Sequence, residues 1–464
     1  MPQPMTRPIC TPIGTVVLLV MSSWATNARA DDTHYQDFVV GDRAVVLGGA
    51  FTSIANDASG VYFNPAGLSD ISHTSLQLSA SLYGYERNGY QDRGLGFLGV
   101  PDVEKLEVAF TDLIIVPASA GFARALGEPG PDGLPVQAYG FSVLVPSFRS
   151  SSFSASTDDN AIHQRRVTDR ELWAGAGYGR KFGKQLRLGV SAFYVLRSVS
   201  DLEEVTEHKH ISDTLGDAFT SMVNDISLTN GSLVFIAGAK YKINDNISLG
   251  AALQSPSVQL HSTASLRFSR ASADPTVTDE PVSTFDPLTL SDATSETRQP
   301  AALRLGASYQ RPYRYTLSAD VSVHAPVDYT LVQVSDSYRA RLPFNPNIER
   351  RLVANINVGA EYLVVREVSI ALGVYSDFSS APSIPANPTT DQPPNVHLLG
   401  LTMALGYFGE HSLSRLGFIY SFGNGYDVVP KSDIRRALDE AQEFDRVAYS
   451  QSFFYVFLSS TFRY

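Results

Sequence analysis

Gln185-Leu-Arg-Leu-Gly-Val-Ser-Ala-Phe-Tyr-Val-Leu-Arg197 decides how this chain folds. Its even positions are Leu186, Leu188, Val190, Ala192, Tyr194 and Leu196, and its odd positions include Gln185, Arg187, Gly189, Ser191 and Arg197. Successive side chains of a β-strand point to opposite faces, so the segment is a ribbon with one greasy face and one wet face. Tyr315, Leu317, Ala319, Val321 and Val323 repeat the pattern against Thr316, Ser318, Asp320 and Ser322. Leu352, Ala354, Ile356, Val358, Ala360 and Tyr362 do so against Asn355, Asn357, Gly359 and Glu361.

A water-soluble sandwich alternates in the same way, so spacing has to separate the two architectures. From about His73 onward the chain reads as about fourteen strands, most of roughly 10 to 14 residues, the length a tilted membrane-crossing strand needs. Tight connections are expected at Lys181–Lys184, Asn244–Asn246, Gln310–Tyr313, Val365–Glu367 and Gly409–His411, with a slightly longer one at Gly127–Leu134. Long polar connections alternate with them at 87–111, 150–165, 200–226, 257–297, 327–349, 380–395 and 423–449. Short turns at one end and long loops at the other are the mark of an outer-membrane barrel. The last ten residues, Tyr455 to Tyr464, end on an aromatic side chain with Val456, Leu458 and Phe462 on one face. They resemble the C-terminal strand that the barrel-assembly machinery recognises. The fold expected is therefore all-β: an antiparallel transmembrane barrel over 73–464.

The first thirty residues stand apart. Arg7, the apolar run Ile13 to Val20 and Ala28-Arg29-Ala30 before Asp31 form a signal-peptide pattern, and the run is too short to span a bilayer. Cys10 lies within this segment and is the single cysteine, so residues after 30 have no thiol for a disulfide, a metal or a nucleophile. A net charge of −11 argues against a nucleic-acid partner.

Residues 31–72 do not alternate. They carry Gly41-Asp-Arg43-Ala44, then Gly48-Gly49-Ala50, Asn56-Asp57-Ala58 and Asn64-Pro65-Ala66. This series resembles the plug of the FadL/TodX-type family of outer-membrane transporters for long-chain fatty acids and hydrocarbons. That plug reads G-x-R-A, G-x-A, D-D-A and N-P-A; Asn56 replaces the first acid of the pair here. Ile114 to Pro117, Gly121-Phe122 and Gly140 to Pro146 extend the similarity. The resemblance implies a barrel blocked by an N-terminal hatch, built around Gly48, Gly49, Asp57, Asn64, Pro65 and Ala66. It also implies that cargo leaves sideways through a gap in the wall. Proline is excluded from central strands except at bulges or breaks, so Pro146 and Pro117 are the candidate positions for that gap; a strand end at the membrane rim is the plainer alternative.

Other features admit two readings each. Ile211, Leu215, Ala218, Phe219 and Met222 recur at helical spacing after Ser212 and Asp213, as a ligand groove or as packing between loops. Ile434, Ala437, Leu438, Ala441 and Phe444 form a similar stripe. Arg187, Arg304 and Arg415, with Arg197, Asp320 and Glu361, fall on wet faces, where they either hold an anionic headgroup or lock the hatch. His208 and His210 beside Glu203, Glu204 and Glu207 read as a solvated run rather than a metal site. Gly94-Leu-Gly96-Phe-Leu-Gly99 opens no βαβ unit, and no catalytic signature occurs, so neither cofactor, metal nor enzyme chemistry is expected. The expected partners are hydrophobic small molecules, outer-membrane lipid and the assembly machinery. The expected function is passive transport of such molecules, with a scaffold for surface-protein secretion as the alternative.

Overall fold

The computed structural model describes residues 33–36, 39–91, 107–110, 116–129, 135–156, 161–212, 216–274, 282–339, 346–390, 392–430 and 444–464. The signal-peptide segment, Leu215 and most of the 434–444 stripe fall outside these residues.

Strands β1 (Ser75–Gln91), β2 (Val116–Pro129), β3 (Pro135–Ser156), β4 (Ala161–Phe182), β5 (Leu186–Ser212), β6 (Gly216–Lys242) and β7 (Ile247–Gln254) form the first half of the wall. The second half is β8 (Ala302–Arg311), β9 (Tyr315–His324), β10 (Val353–Val365), β11 (Val368–Asp377), β12 (Asn395–Phe408), β13 (Ser412–Pro430) and β14 (Phe444–Arg463). Each pairs antiparallel with the next. Ser75 opposite Arg463 through Gln91 opposite Ala448 joins β14 back to β1, closing a 14-stranded barrel. Two further strands, Val258–Asp274 and Val282–Ser295, continue the sheet above β7 and β8: the first pairs with β6 from Phe219 to Leu233.

The faces are inverted relative to a soluble protein. On β5, Val190 is 60% exposed and Arg187 1%. Leu188, Leu253, Leu305, Ile356, Val374, Leu405 and Leu416 are likewise exposed, while Ser191, Lys240, Thr316, Asp320, Asn357, Glu361 and Arg415 are buried. Oil must therefore lie outside. Tyr178, Phe182, Tyr241, Tyr309, Tyr362 and Tyr407 stand exposed near the short-turn end, and Tyr420, Phe422 and Tyr426 toward the other. These are the aromatic belts of a membrane barrel. The chain terminus and the entry to β1 meet at the short-turn, periplasmic end, where the Tyr464 and Thr74 amides exchange hydrogen bonds of 2.9 and 3.3 Å.

The expected turns fall where strands end, but the expected strand lengths do not hold. β5 and β6 each run 27 residues, and the polar stretches 200–212 and 216–226 continue their ladder instead of looping. The 150–156 with 161–165, 258–274 with 282–295, and 423–430 with 444–449 stretches do the same. Beyond the bilayer both faces of a ribbon meet water, so its alternation disappears while its backbone bonds persist. The helix read from Ile211 to Met222 is corrected for the same reason: Phe219 and Met222 sit on β6. They are an odd number of residues apart, so they point to opposite faces.

Before β1 the chain packs on the inward faces of the wall. Two helical turns, Arg43–Val46 and Gly60–Phe63, and a 3₁₀ segment, Pro65–Asp70, follow one another. The Asn64 side chain accepts from Ala66 N (3.1 Å) and caps the last of these; its amide donates to Thr52 O (2.8 Å) and to Ala239 O of β6 (3.0 Å). Close approach needs wall positions without side chains: a Cβ on Gly238 would lie 2.1 Å from Asn64 Oδ1, and one on Gly189 2.3 Å from the Pro65 carbonyl carbon. Replacing Gly238 with Val should leave a folded, heat-modifiable barrel whose N-terminal segment cannot seat. Its single-channel conductance in planar bilayers should rise clearly above that of the parent; unchanged conductance would contradict the contact.

Candidate functional site

Side chains of the N-terminal segment meet the lumen wall in two charged clusters. In one, Arg415 Nη1 lies 2.8 Å from Asp42 Oδ1 and its Nη2 3.2 Å from Glu361 Oε1, while Arg43 Nε donates to Glu361 Oε2 at 2.9 Å. Ser459 and Thr461 hydroxyls complete Asp42, each at 2.6 Å. In the other, Asp70 sits 2.9 Å from Arg187, 2.8 Å from Lys240 and 3.5 Å from Lys242. Neutral contacts lie between: Asp320 accepts from the Phe51 and Thr52 amides at 2.8 and 2.7 Å, and Asn357 donates to Gly48 O at 2.5 Å. Asp57 stays within its own segment, taking the Ser59 amide at 2.9 Å and hydroxyl at 2.5 Å. Gly48 and Gly49 have φ of 61° and 85°, the left-handed region that glycine enters most readily.

Pro146 and Pro117 both stand at irregularities of the wall. The β3–β4 ladder steps from Leu144 opposite Trp173 to Ser147 opposite Glu171, so Val145 and Pro146 share one partner position, a bulge. Among the described residues the β2–β3 ladder ends at Ser119 opposite Leu144, leaving the rest of β3 paired only with β4. Pro117 follows a shift of the β1–β2 ladder between Ser79 and Ala80.

An aromatic cluster lines the lumen behind that bulge. Tyr62 meets Trp173 edge-on at 5.6 Å and Phe193 at 6.2 Å, and Trp173 meets Phe193 at 5.6 Å. Leu144, Val195, Val234 and Phe63 are buried in the same cluster. Toward the extracellular end it is bordered by polar groups. Trp173 Nε1 donates to Glu171 at 3.2 Å, Gln299 donates to the same carboxylate at 2.6 Å, and Arg197 bridges to Asp169. Arg304 lies over the Tyr62 ring at 4.6 Å and donates to Tyr62 O and Gln254 at 3.1 and 3.2 Å. Among the described residues Arg304 makes no salt bridge, unlike Arg187 and Arg415, although Asp320 on the neighbouring strand lies near enough to attract it. His324 is buried with neither ring nitrogen hydrogen-bonded, against the Tyr35 ring at 4.3 Å. A shallow groove open to solvent is lined by Phe148, Arg149, Tyr375, Phe453 and Tyr455, beginning just beyond the bulge.

Arg187, Arg304 and Arg415 all contact the N-terminal segment, the first and last through its acids and Arg304 through the Tyr62 carbonyl and ring beside the aromatic cluster. Trp173, Phe193, Tyr62 and Glu171 were not anticipated. A trace existed: Phe193 and Val195 interrupt the wet face of the Gln185–Arg197 ribbon. Higher up, Leu228, Leu266, Phe268, Leu288 and Val332 form a second buried apolar cluster where the strands pass beyond the membrane. His208 lies 3.2 Å from Asp217 across the β5–β6 ribbon, and no group able to hold a metal ion occurs among the described residues.

Burial alone would raise the Asp70 pKa, but Lys240, Lys242 and Arg187 outweigh it and hold the carboxyl well below the ordinary carboxylate range. A depressed folded-state pKa stabilises above the unfolded value, about 3.9, and that stabilisation is lost as pH falls through the folded value. The anchor should hold from neutral pH to about pH 4 and fail only on stronger acidification. Asp70→Asn should abolish it at pH 7, leaving the buried Arg187 and Lys240 and the half-buried Lys242 without their carboxylate. Limited proteolysis of residues 40–70 in assembled barrels would read this, and a variant as resistant as the parent at pH 7 would refute it.

No protein-family model matches this chain, and no curated protein does. Among solved structures the chain is similar to a Pseudomonas aeruginosa FadL homologue, at 17% identity over 94% of this chain and 99% of that one, with a TM-score of 0.58. The P. putida toluene transporter TodX aligns at 13% identity over 91% and 97%, TM-score 0.56. The CymD monoaromatic hydrocarbon channel aligns at 13% over 92% and 97%, TM-score 0.51. Near-complete coverage in both directions at such low identity establishes a shared architecture: the chain has the fold of the FadL-like outer-membrane barrels.

Proposed function

We propose that the protein carries hydrophobic molecules passively across the outer membrane, with the N-terminal segment as a hatch and the wall bulge at Pro146 as a lateral exit. The observation that carries this reading is the juxtaposition of Tyr62, Trp173, Phe193 and Leu144 with that bulge: an apolar lumen patch abuts the one stretch of β3 that lacks a described β2 partner. An apolar solute moving from this patch into the bilayer avoids water, which would otherwise cost about 0.8 kcal/mol per CH₂. TodX is a toluene transporter and CymD a monoaromatic hydrocarbon channel, which favours the same class of cargo here. Ion pairs alone would suit a rigid scaffold for surface-protein secretion; the aromatic patch beside a broken ladder has no use in one.

Arg304 divides the candidate cargoes. It lies against the aromatic cluster with Asp320 nearby but no acid bonded to it, so its guanidinium can still take the carboxylate of a fatty acid. A neutral hydrocarbon has no need of it.

Two variants test these assignments by uptake of labelled long-chain fatty acid and labelled toluene into cells. Deleting Pro146 removes the extra residue and should let the ladder run on; uptake of whichever cargo the protein carries should fall at least about tenfold, the equivalent of 1.4 kcal/mol, with barrel assembly intact. Arg304→Gln should lower fatty-acid uptake and spare toluene. If cells with and without the protein take up both compounds equally, the transport reading fails while the fold stands.

A further inference from the structure

The short-turn end of the barrel carries charge that neither the hatch nor the lumen uses. Three of four consecutive periplasmic hairpins, β4–β5, β8–β9 and β10–β11, present Arg180, Lys184, Arg311, Arg314 and Arg366, all exposed, while the β6–β7 hairpin between them presents no exposed cation. Among the described residues none of these side chains is in a salt bridge, and the exposed acids of the arc are Asp245 and Glu367. In a chain of net charge −11 this is a local inversion of sign. The turns flanking the arc on either side present Glu128 and Glu410 instead.

Height in the membrane is set by the neighbours. Phe182, Tyr241, Tyr309 and Tyr362 lie exposed one or two residues inside the turns, and Tyr313, 83% exposed, stands at the tip of the β8–β9 turn. Such rings seat at the headgroup level. The cations just beyond them therefore reach the plane of lipid phosphates, their aliphatic stems lying along the apolar wall. Arg180 stacks over the Phe182 ring at 5.7 Å, which holds its guanidinium at that height.

We infer that this arc of the periplasmic rim, from Arg180 and Lys184 through Arg311 and Arg314 to Arg366, is a binding surface for anionic phospholipid headgroups. Phosphatidylglycerol has the required chemistry: a net negative phosphate with no ammonium to cancel it. Phosphatidylethanolamine presents its own cation to the same arc and is repelled in part. Charge complementarity makes lipid the occupant, because the cations follow the curve of the membrane surface and do not converge on one point.

Electron spin resonance of headgroup-matched spin-labelled lipids, with the full-length mature barrel in bilayers of mixed phosphatidylethanolamine and phosphatidylglycerol, reads the fraction of each lipid held at the protein surface. The wild-type protein should favour phosphatidylglycerol by about fivefold or more, the gain that one basic group near an anionic surface supplies. The preference should disappear in 1 M salt, where the Debye length falls to about 3 Å. The variant Lys184→Gln/Arg311→Gln/Arg314→Gln/Arg366→Gln should bind both lipids alike, and Arg165→Gln, at the extracellular end of β4, should behave as wild type. Equal affinity of the wild type for the two lipids, or a preference that survives high salt or the fourfold variant, overturns the inference. Heat-modifiable migration on gels certifies that each variant is folded, and none of these outcomes depends on what the barrel transports.

Discussion

Inside a bilayer nothing but the chain itself can satisfy a backbone amide or carbonyl, and each one left open costs several kcal/mol. That constraint governs this structure. It requires β14 to return to β1, which it does over a ladder from Ser75–Arg463 to Gln91–Ala448. Closure then makes an inside, and the inside must be filled. The inverted faces follow from the same requirement: with oil outside, the only place for Arg187, Asp320, Glu361 and Arg415 is the lumen, where they need partners. The N-terminal segment supplies these partners.

How that segment is held reflects two kinds of bond with different tolerances. Hydrogen bonds that Asn64 and Asn357 donate to backbone carbonyls, and that Asp320 accepts from backbone amides, position it through shape, and they depend on glycines that let main chain approach main chain. The Asp42–Arg415–Glu361–Arg43 and Asp70–Lys240–Arg187 clusters add charge that is expensive to separate, on the order of 3–5 kcal/mol when one partner of a buried pair is removed. A segment tied at opposite sides of the lumen in this way resists withdrawal as one body. The surroundings of Tyr62 and Trp173 are held instead by ring contacts, which rearrange at lower cost.

The bulge at Pro146 is a place where the wall's own rule is relaxed. A bulge breaks the pairing of one residue and bends the strand, and proline withdraws a donor that would otherwise need a partner. The backbone demand is thereby reduced where, among the described residues, the neighbouring β2 ladder stops. An aromatic lumen patch, a polar collar of Glu171, Gln299 and Arg197, and this bulge lie along one short stretch of β3, β4 and β5.

Alternation, turn spacing and the aromatic C-terminal strand determined the barrel from the sequence alone, because a ribbon between oil and water must repeat every two residues. Its polar extensions were not legible as strands: water on both faces erases the repeat, so Ile211 to Met222 read as a helix and proved to be β-ribbon, apart from the undescribed 213–215. The Asn64-Pro65-Ala66 turn could be read as a turn, since Pro and Asn act on their own backbone, yet its attachment to Ala239 could not. Which wet-face arginine locks and which stands open was decided only by the tertiary structure. Arg187, Arg304 and Arg415 occupy equivalent positions of the repeat; their partners come from residues more than a hundred positions away in Asp70, Tyr62 and Asp42, and distance in the chain carries no trace of contact in space.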